Sequence, residues 1–107
     1  MTNEERHAKI CDELAQIYWE KNADYGDSFH QSFLEEGWAM PRIRLGDKFA
    51  RLKSLTKGGV MRVKDESLRD TLLDMANYAI MSVMELDAEK ERGNNEGSFA
   101  GREKAEV

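Results

Sequence analysis

The stretch that decides the fold is ESLRDTLLDMANYAIMSVMEL, residues 66–86. Its apolar residues point in nearly every direction around a helix, which is typical of a buried helix. Four polar side chains interrupt it at spacings of four, four and three, which places them on one face within about 80° of arc. They are Glu66, Asp70, Asp74 and Asn77. Three stacked carboxylates repel one another and lose hydration on burial, so a positive partner must lie opposite them.

The length, charge and cysteine content of the chain indicate which kinds of protein it can be. One domain fits 107 residues, and the net charge of −5 argues against a direct nucleic-acid-binding surface. A single cysteine, Cys11, excludes an intrachain disulfide and a cysteine zinc site, so a reducing cytoplasm is the predicted location. The sequence shows no apolar segment of signal-peptide or transmembrane length, and no membrane partner is expected.

The first third of the chain predicts one helix and a long connection. Thr2 and Glu5 have the spacing of a capping box, which opens a helix that runs to about Lys21. The following segment, residues 22–41, contains turn formers and aromatics without a clear period. We expect it to be a connection with a short helical turn near residues 31–36.

Two further helices are predicted downstream. The second spans about 41–57 with its proline in the first turn. The third spans about 65–90, with Asp65 as its N-cap. Residues 91–107 lose periodicity and are expected to form a flexible polar tail after a single domain over 1–90.

The fold class predicted by these patterns is all-α. Three main helices per chain cannot cover a third helix that is apolar on most sides. We therefore expect oligomerisation to complete the bundle, as a homodimer or a homotetramer.

The second helix supplies the positive partners. Arg44, Asp47, Lys48 and Arg51 fall within about 100° of arc and border its apolar stripe. One interpretation is a structural ion-pair network with the carboxylates of the third helix. The other is a ligand site, since grouped carboxylates suit Mg²⁺ and grouped cations suit a polyphosphate. Helix geometry leaves both open.

Three sequence blocks carry a family resemblance. KNADYGDSF (21–29), IRLGDKFARLKSL (43–55) and DESLRDTLLDMANYAIM (65–81) resemble a phage-associated domain linked by its name to nucleotide modification. The arrangement is also similar to the MazG-like all-α nucleoside triphosphate pyrophosphohydrolases, whose EExxE and ExxD motifs bind Mg²⁺. The first resemblance covers about residues 19–85.

The match to the MazG-like motifs is partial. Asp70 and Asp74 correspond to the acidic pair of ExxD, although their spacing is four and Thr71 stands where the motif glutamate belongs. Only Asp47 represents EExxE, because Lys48 and Arg51 occupy positions of further glutamates. The resemblance therefore implies one Mg²⁺ with basic side chains beside it, rather than a metal cluster.

The function expected from this resemblance is Mg²⁺-dependent hydrolysis of a nucleoside triphosphate to the monophosphate and pyrophosphate. The expected metal ligands are Asp47, Glu66, Asp70 and Asp74. The expected catalytic residues are Lys48, Arg51 and Asp70. The expected substrate-binding residues are Lys21, Asn22, Asp24, Tyr25, Arg44 and Asn77. The alternative is a non-catalytic bundle that binds a nucleotide or docks a partner and uses the same charges as a structural network.

The aromatic and histidine residues add two expectations. Tyr25 and Trp38 are candidates to stack on a base, while Asn22 reads its edge; a packed turn explains the same residues equally well. Neither His7 nor His30 has a partner at metal-ligand spacing, so both are predicted to lie at the surface.

Overall fold

The computed structural model describes residues 1–25, 27–57 and 65–96. Within those ranges all regular structure is helical, as the sequence predicts. The helices are α1 (Asn3–Tyr25), α2 (Ser28–Glu36), α3 (Ala39–Thr56) and α4 (Asp65–Glu96). None of these helices is both long enough and apolar enough to span a membrane.

The prediction of three main helices is wrong, because α2 is a fourth. It occupies the segment for which only a helical turn was expected. Phe29 and Phe33 lie four residues apart, and both are buried. Nine residues are too few to display a helical period, which explains why the sequence pattern missed α2. Gly37 ends the helix at a φ of 68°, and its N–H donates to the Phe33 carbonyl at 2.8 Å.

The start of α1 follows the prediction and its end does not. The Thr2 N–H donates to a Glu5 carboxylate oxygen at 2.8 Å, and the Glu5 N–H donates to the Thr2 hydroxyl at 3.1 Å, which confirms the capping box. The helix continues to Tyr25 rather than ending near Lys21. Asn22 therefore lies on a helix instead of in a loop.

The later helix boundaries are close to those predicted. Pro41 lies in the first turn of α3, and α4 begins at Asp65. Whether Asp65 caps α4 with its side chain lies outside the described residues, as do residues 26 and 58–64. The helix α4 continues to Glu96, six residues past its predicted end, and the remaining part of the predicted tail, residues 97–107, lies outside the described residues.

The core lies where α2 and α3 meet α4. Phe29, Phe33 and Met40 form a buried cluster, against which Tyr78 and Met81 of α4 pack. The helix α3 runs along α4, and α2 contacts both of them. One face of α4 is therefore fixed against two helices that come from the middle of the chain.

The first helix attaches to α4 more lightly. Leu14 is the only residue of α1 that is buried among those described. Arg69 clamps Glu13 through two hydrogen bonds of 2.6 and 2.8 Å. Hydrogen bonding to Arg69 lowers the pKa of the Glu13 carboxyl from its ordinary value, and the guanidinium charge adds to this effect. A carboxyl whose pKa is lower in the folded state stabilises the fold above its ordinary pKa and loses that contribution as pH falls.

Candidate functional site

A cavity of about 130 Å³ lies where α1 faces α4, with α2 and α3 closing its sides. Its apolar and aromatic lining comes from Ile17, Tyr18, Phe29, Tyr78 and Met81. Its polar lining comes from Lys21, Asn22, Ser28, Arg44, Asp74 and Asn77. The cavity therefore combines a charged group with a set of ring and aliphatic surfaces.

The charged group is centred on Asp74. One of its carboxylate oxygens lies 2.9 Å from the Lys48 ammonium, and the other lies 3.8 Å from the Lys21 ammonium. Asp74 and Lys48 are each about one-third exposed, with side-chain exposures of 31% and 28%. Arg44 also lines the cavity, and Lys48 adjoins it through Asp74. Counted over the cavity lining and Lys48, three cations face a single carboxylate, a positive excess that favours an anion.

The aromatic part of the lining comes from two different helices. The rings of Phe29 and Tyr78 stack with centroids 6.1 Å apart and planes inclined by 23°. The Arg44 guanidinium carbon lies 5.9 Å from the centre of the Tyr78 ring, within cation–π range. Arg44 thus connects the charged group with the aromatic pair.

Asn77 is the most buried polar side chain of the cavity lining, with 9% of its surface exposed. Its amide nitrogen donates to the Leu14 carbonyl at 3.2 Å. A carbonyl only accepts hydrogen bonds, so this contact fixes which end of the amide is nitrogen. The bond also joins α4 to the middle of α1.

The structure brings together five residues that the sequence predicts as site residues. Lys21, Asn22, Arg44, Asp74 and Asn77 all line the cavity, and Lys48 joins them through Asp74. The side chains of three other nominated residues lie outside the described part of the structure. These are Asp24, Tyr25 and Glu66.

The remaining nominated residues lie apart from the cavity. Asp47 and Arg51 are exposed on α3 and do not contribute to its lining. Asp70 is exposed one turn before Asp74. Together with Glu20, Lys21 and Asp74 it lines an open groove of about 400 Å³.

In their present arrangement, the described carboxylates do not form a magnesium site. Across residues 1–25, 27–57 and 65–96, no group of three or more His, Cys, Asp or Glu side chains is placed to hold a metal ion. Both oxygens of Asp74 face lysine nitrogens, as the ion-pair interpretation predicts. Binding of Mg²⁺ stays a prediction, because the side chain of Glu66, one of its expected ligands, lies outside the described residues.

Other contacts were not foreseen from the sequence. His30 was predicted at the surface, but it is half-buried, and its Nδ1 lies 2.9 Å from both carboxylate oxygens of the buried Glu85. Trp38 packs edge-on against Phe33, with ring centroids 5.0 Å apart, and does not line the cavity. His30 and Glu85 lie on different helices, so no local spacing in the sequence connects them. Trp38 lies just before α3 and only five residues after Phe33.

The comparison with protein families gives a match that covers most of the folded chain. A family model described as nucleotide modification associated domain 1 matches residues 21–86. This range contains the polar half of the cavity lining on all four helices. Neither the curated proteins nor the solved structures yield a match.

The environment of Asp74 generates a stability prediction. Asp74→Asn keeps the shape of the side chain but leaves Lys48 and Lys21 without their shared carboxylate. Because the pair is partly exposed, we expect a loss of about 1–3 kcal/mol in the free energy of unfolding, between the effects of surface and buried pairs. Urea denaturation without Mg²⁺ measures the change.

Asp70→Asn is the matched control for this substitution. Asp70 lies one turn away on the same helix and is exposed, so its removal should change stability by less than about 0.5 kcal/mol. If Asp74→Asn instead leaves stability unchanged or higher, and abolishes a stabilisation that Mg²⁺ gives the wild type, Asp74 is a metal ligand rather than an ion-pair partner.

Proposed function

Because the chain belongs to the family of nucleotide modification associated domain 1, we propose that it binds a nucleotide at the cavity between α1 and α4. The observation that carries the proposal is the excess of cations directly beside stacked aromatic rings. Nucleotides have the same two parts, a polyanion and a flat ring. In this proposal the charged cluster binds the phosphates, and the ring surfaces contact the base.

The phosphate part of the proposal rests on Lys21, Arg44 and Lys48. Arg44 is exposed and offers a planar fork of donors that suits two phosphate oxygens at once. The two lysines already share one carboxylate, so a phosphate would complete their charge balance. Their positions on α1 and α3 let one ligand connect both helices to α4.

The three sequence blocks also support a proposal about the biological role. We propose that the chain acts in phage nucleotide metabolism and is related to the MazG-like all-α pyrophosphohydrolases. The exposed thiol of Cys11 is compatible with a reducing compartment, and we propose the cytoplasm.

Substitution of Arg44 tests the phosphate contact. Arg44→Gln should weaken binding of a nucleoside triphosphate about tenfold, the effect of losing one charged hydrogen-bonding partner. Isothermal titration at fixed, low ionic strength measures the dissociation constant. Arg42→Gln is the matched control, since Arg42 is exposed on the same helix but does not line the cavity. Equal affinities for both variants and the wild type would contradict the proposal.

A second candidate function is hydrolysis of a nucleoside triphosphate to the monophosphate and pyrophosphate. The observation in its favour is the groove next to the charged cluster, where Glu20, Asp70 and Asp74 bring carboxylates beside Lys21. In this reaction a water oxygen forms a bond to the α-phosphorus, while the bond from the α-phosphorus to the α–β bridging oxygen breaks. Pyrophosphate leaves with that oxygen.

The roles proposed for the chain's own residues follow from their charges. Asp70 is an exposed carboxylate in the groove, able to accept the proton that the attacking water loses. Lys48 and Arg51 lie one turn apart on α3 and balance charge on the phosphates. Mg²⁺, when bound to the triphosphate, would neutralise part of its charge, although the described carboxylates do not form a site for the ion.

Pyrophosphate release decides between the catalytic and the non-catalytic candidate. With Mg²⁺ and a panel of standard and modified deoxynucleoside triphosphates, we expect release that falls about 100-fold in Asp70→Asn. Asp87→Asn should retain the wild-type rate, because Asp87 is exposed on α4 and lies outside the groove. Nucleotide binding without any pyrophosphate release would leave the protein as a non-catalytic nucleotide-binding bundle.

We also propose that two chains pair through the outer face of α4. Leu72, Ala79, Val83 and Leu86 are exposed and, with the half-buried Ala76, repeat at spacings of four and three. That repeat is the seam of a two-helix coiled coil, and the small Ala76 and Ala79 allow the helix axes to approach closely. A second copy of the same helix presents a matching stripe.

Light scattering tests this assembly. At micromolar concentration we expect a mass of about twice the chain mass of 12.3 kDa, or four times if the dimers pair again. Val83→Arg places a charge within the stripe and should shift the mass to that of one chain. Glu35→Arg introduces the same residue on the exposed side of α2 and should leave the assembly intact. A wild-type mass near 12 kDa would refute the proposal.

A further inference from the structure

The size of the cavity restricts the base that it can hold. Its volume is about 130 Å³, whereas an apolar protein cavity of about 150 Å³ accommodates one benzene molecule. A pyrimidine has one six-membered ring, and a purine adds a fused second ring. Resting on the proposed nucleotide binding, we infer that this cavity selects pyrimidine nucleotides over purine nucleotides.

The ring surfaces suit a single aromatic ring. Phe29 is buried and Tyr78 is half-buried, and their stacked pair lies within the cavity lining. A flat base can extend this stack at the usual centroid spacings of aromatic pairs. Ile17 and Met81 complete the apolar surface with aliphatic side chains.

Asn77 supplies the polar contact to the base edge. Its amide nitrogen is held by the Leu14 carbonyl, so the amide oxygen points away from that bond. Among the described residues Asn77 makes no second side-chain hydrogen bond, although only 9% of the residue is exposed. A buried acceptor of this kind needs a donor. The exocyclic amine of cytosine and the ring N3–H of uracil or thymine are such donors.

Direct titration with a panel of ligands tests the inference. The panel is dCTP, dTTP and dUTP against dATP and dGTP, with inorganic tripolyphosphate as a probe that has no base. We expect the preferred pyrimidine to bind at least tenfold more tightly than either purine, and tripolyphosphate to bind more weakly than that pyrimidine. Purines that bind as tightly as pyrimidines would overturn the inference and leave nucleotide binding intact. If neither tripolyphosphate nor any nucleotide binds, the proposed function itself fails.

A cavity-filling variant locates the base. Ile17→Phe adds a ring inside the lining, so pyrimidine affinity should fall to that of tripolyphosphate, while tripolyphosphate binding stays at the wild-type level. The retained tripolyphosphate binding shows that the variant is folded. Leu34→Phe makes the same kind of enlargement at an exposed position of α2 and should preserve the pyrimidine preference. A pyrimidine preference that survives in Ile17→Phe would place the base elsewhere and overturn the inference.

Discussion

The charge of Asp74 is the constraint on which the rest of the site depends. A carboxylate on the inner face of α4 must be balanced, and α3 and α1 each provide a lysine for it. The same contacts connect α1 and α3 to α4 beside the cavity. An apolar residue at this position would leave both lysines without their shared carboxylate. An intact pair of this exposure adds little net stability even where breaking it is costly, so we interpret the ion pair mainly as part of the proposed binding surface.

The regular helices could be predicted from local physics, and the short helix could not. The capping box at Thr2, the proline in the first turn of α3 and the start of α4 depend on neighbouring residues only, and all three agree with the structure. The helix α2 is stabilised by the burial of Phe29 and Phe33 against α4, a contact between distant parts of the chain. The extension of α1 has a similar origin, because Lys21 and Asn22 continue the face that already carries Ile17 and Tyr18 toward α4.

The candidate site was predictable in its charges but not in its shape. The helical repeat alone placed Asp74 and Asn77 on one face and nominated Lys48 as a counter-charge, and the structure shows that contact. The sequence could not reveal that Phe29 and Tyr78 stack, because the two rings lie on different helices and 49 positions separate them. For the same reason, the pairing of His30 with Glu85 has no signature in the sequence. Charge patterns are local along a helix, whereas a cavity depends on how helices cross.

The inner and outer faces of α4 point in different directions, and this difference determines where the cavities would lie in the proposed dimer. Asp74, Asn77, Tyr78 and Met81 define the inner face, which lines the cavity. At about 100° per residue, the outer stripe that includes Leu72 and Val83 points roughly 170° away from it. A dimer formed through the outer stripe therefore leaves each cavity facing away from the two-fold axis. In the proposed dimer, each chain would therefore provide every described residue of its own candidate site. Pairing would stabilise the long helix without adding a side chain to either site.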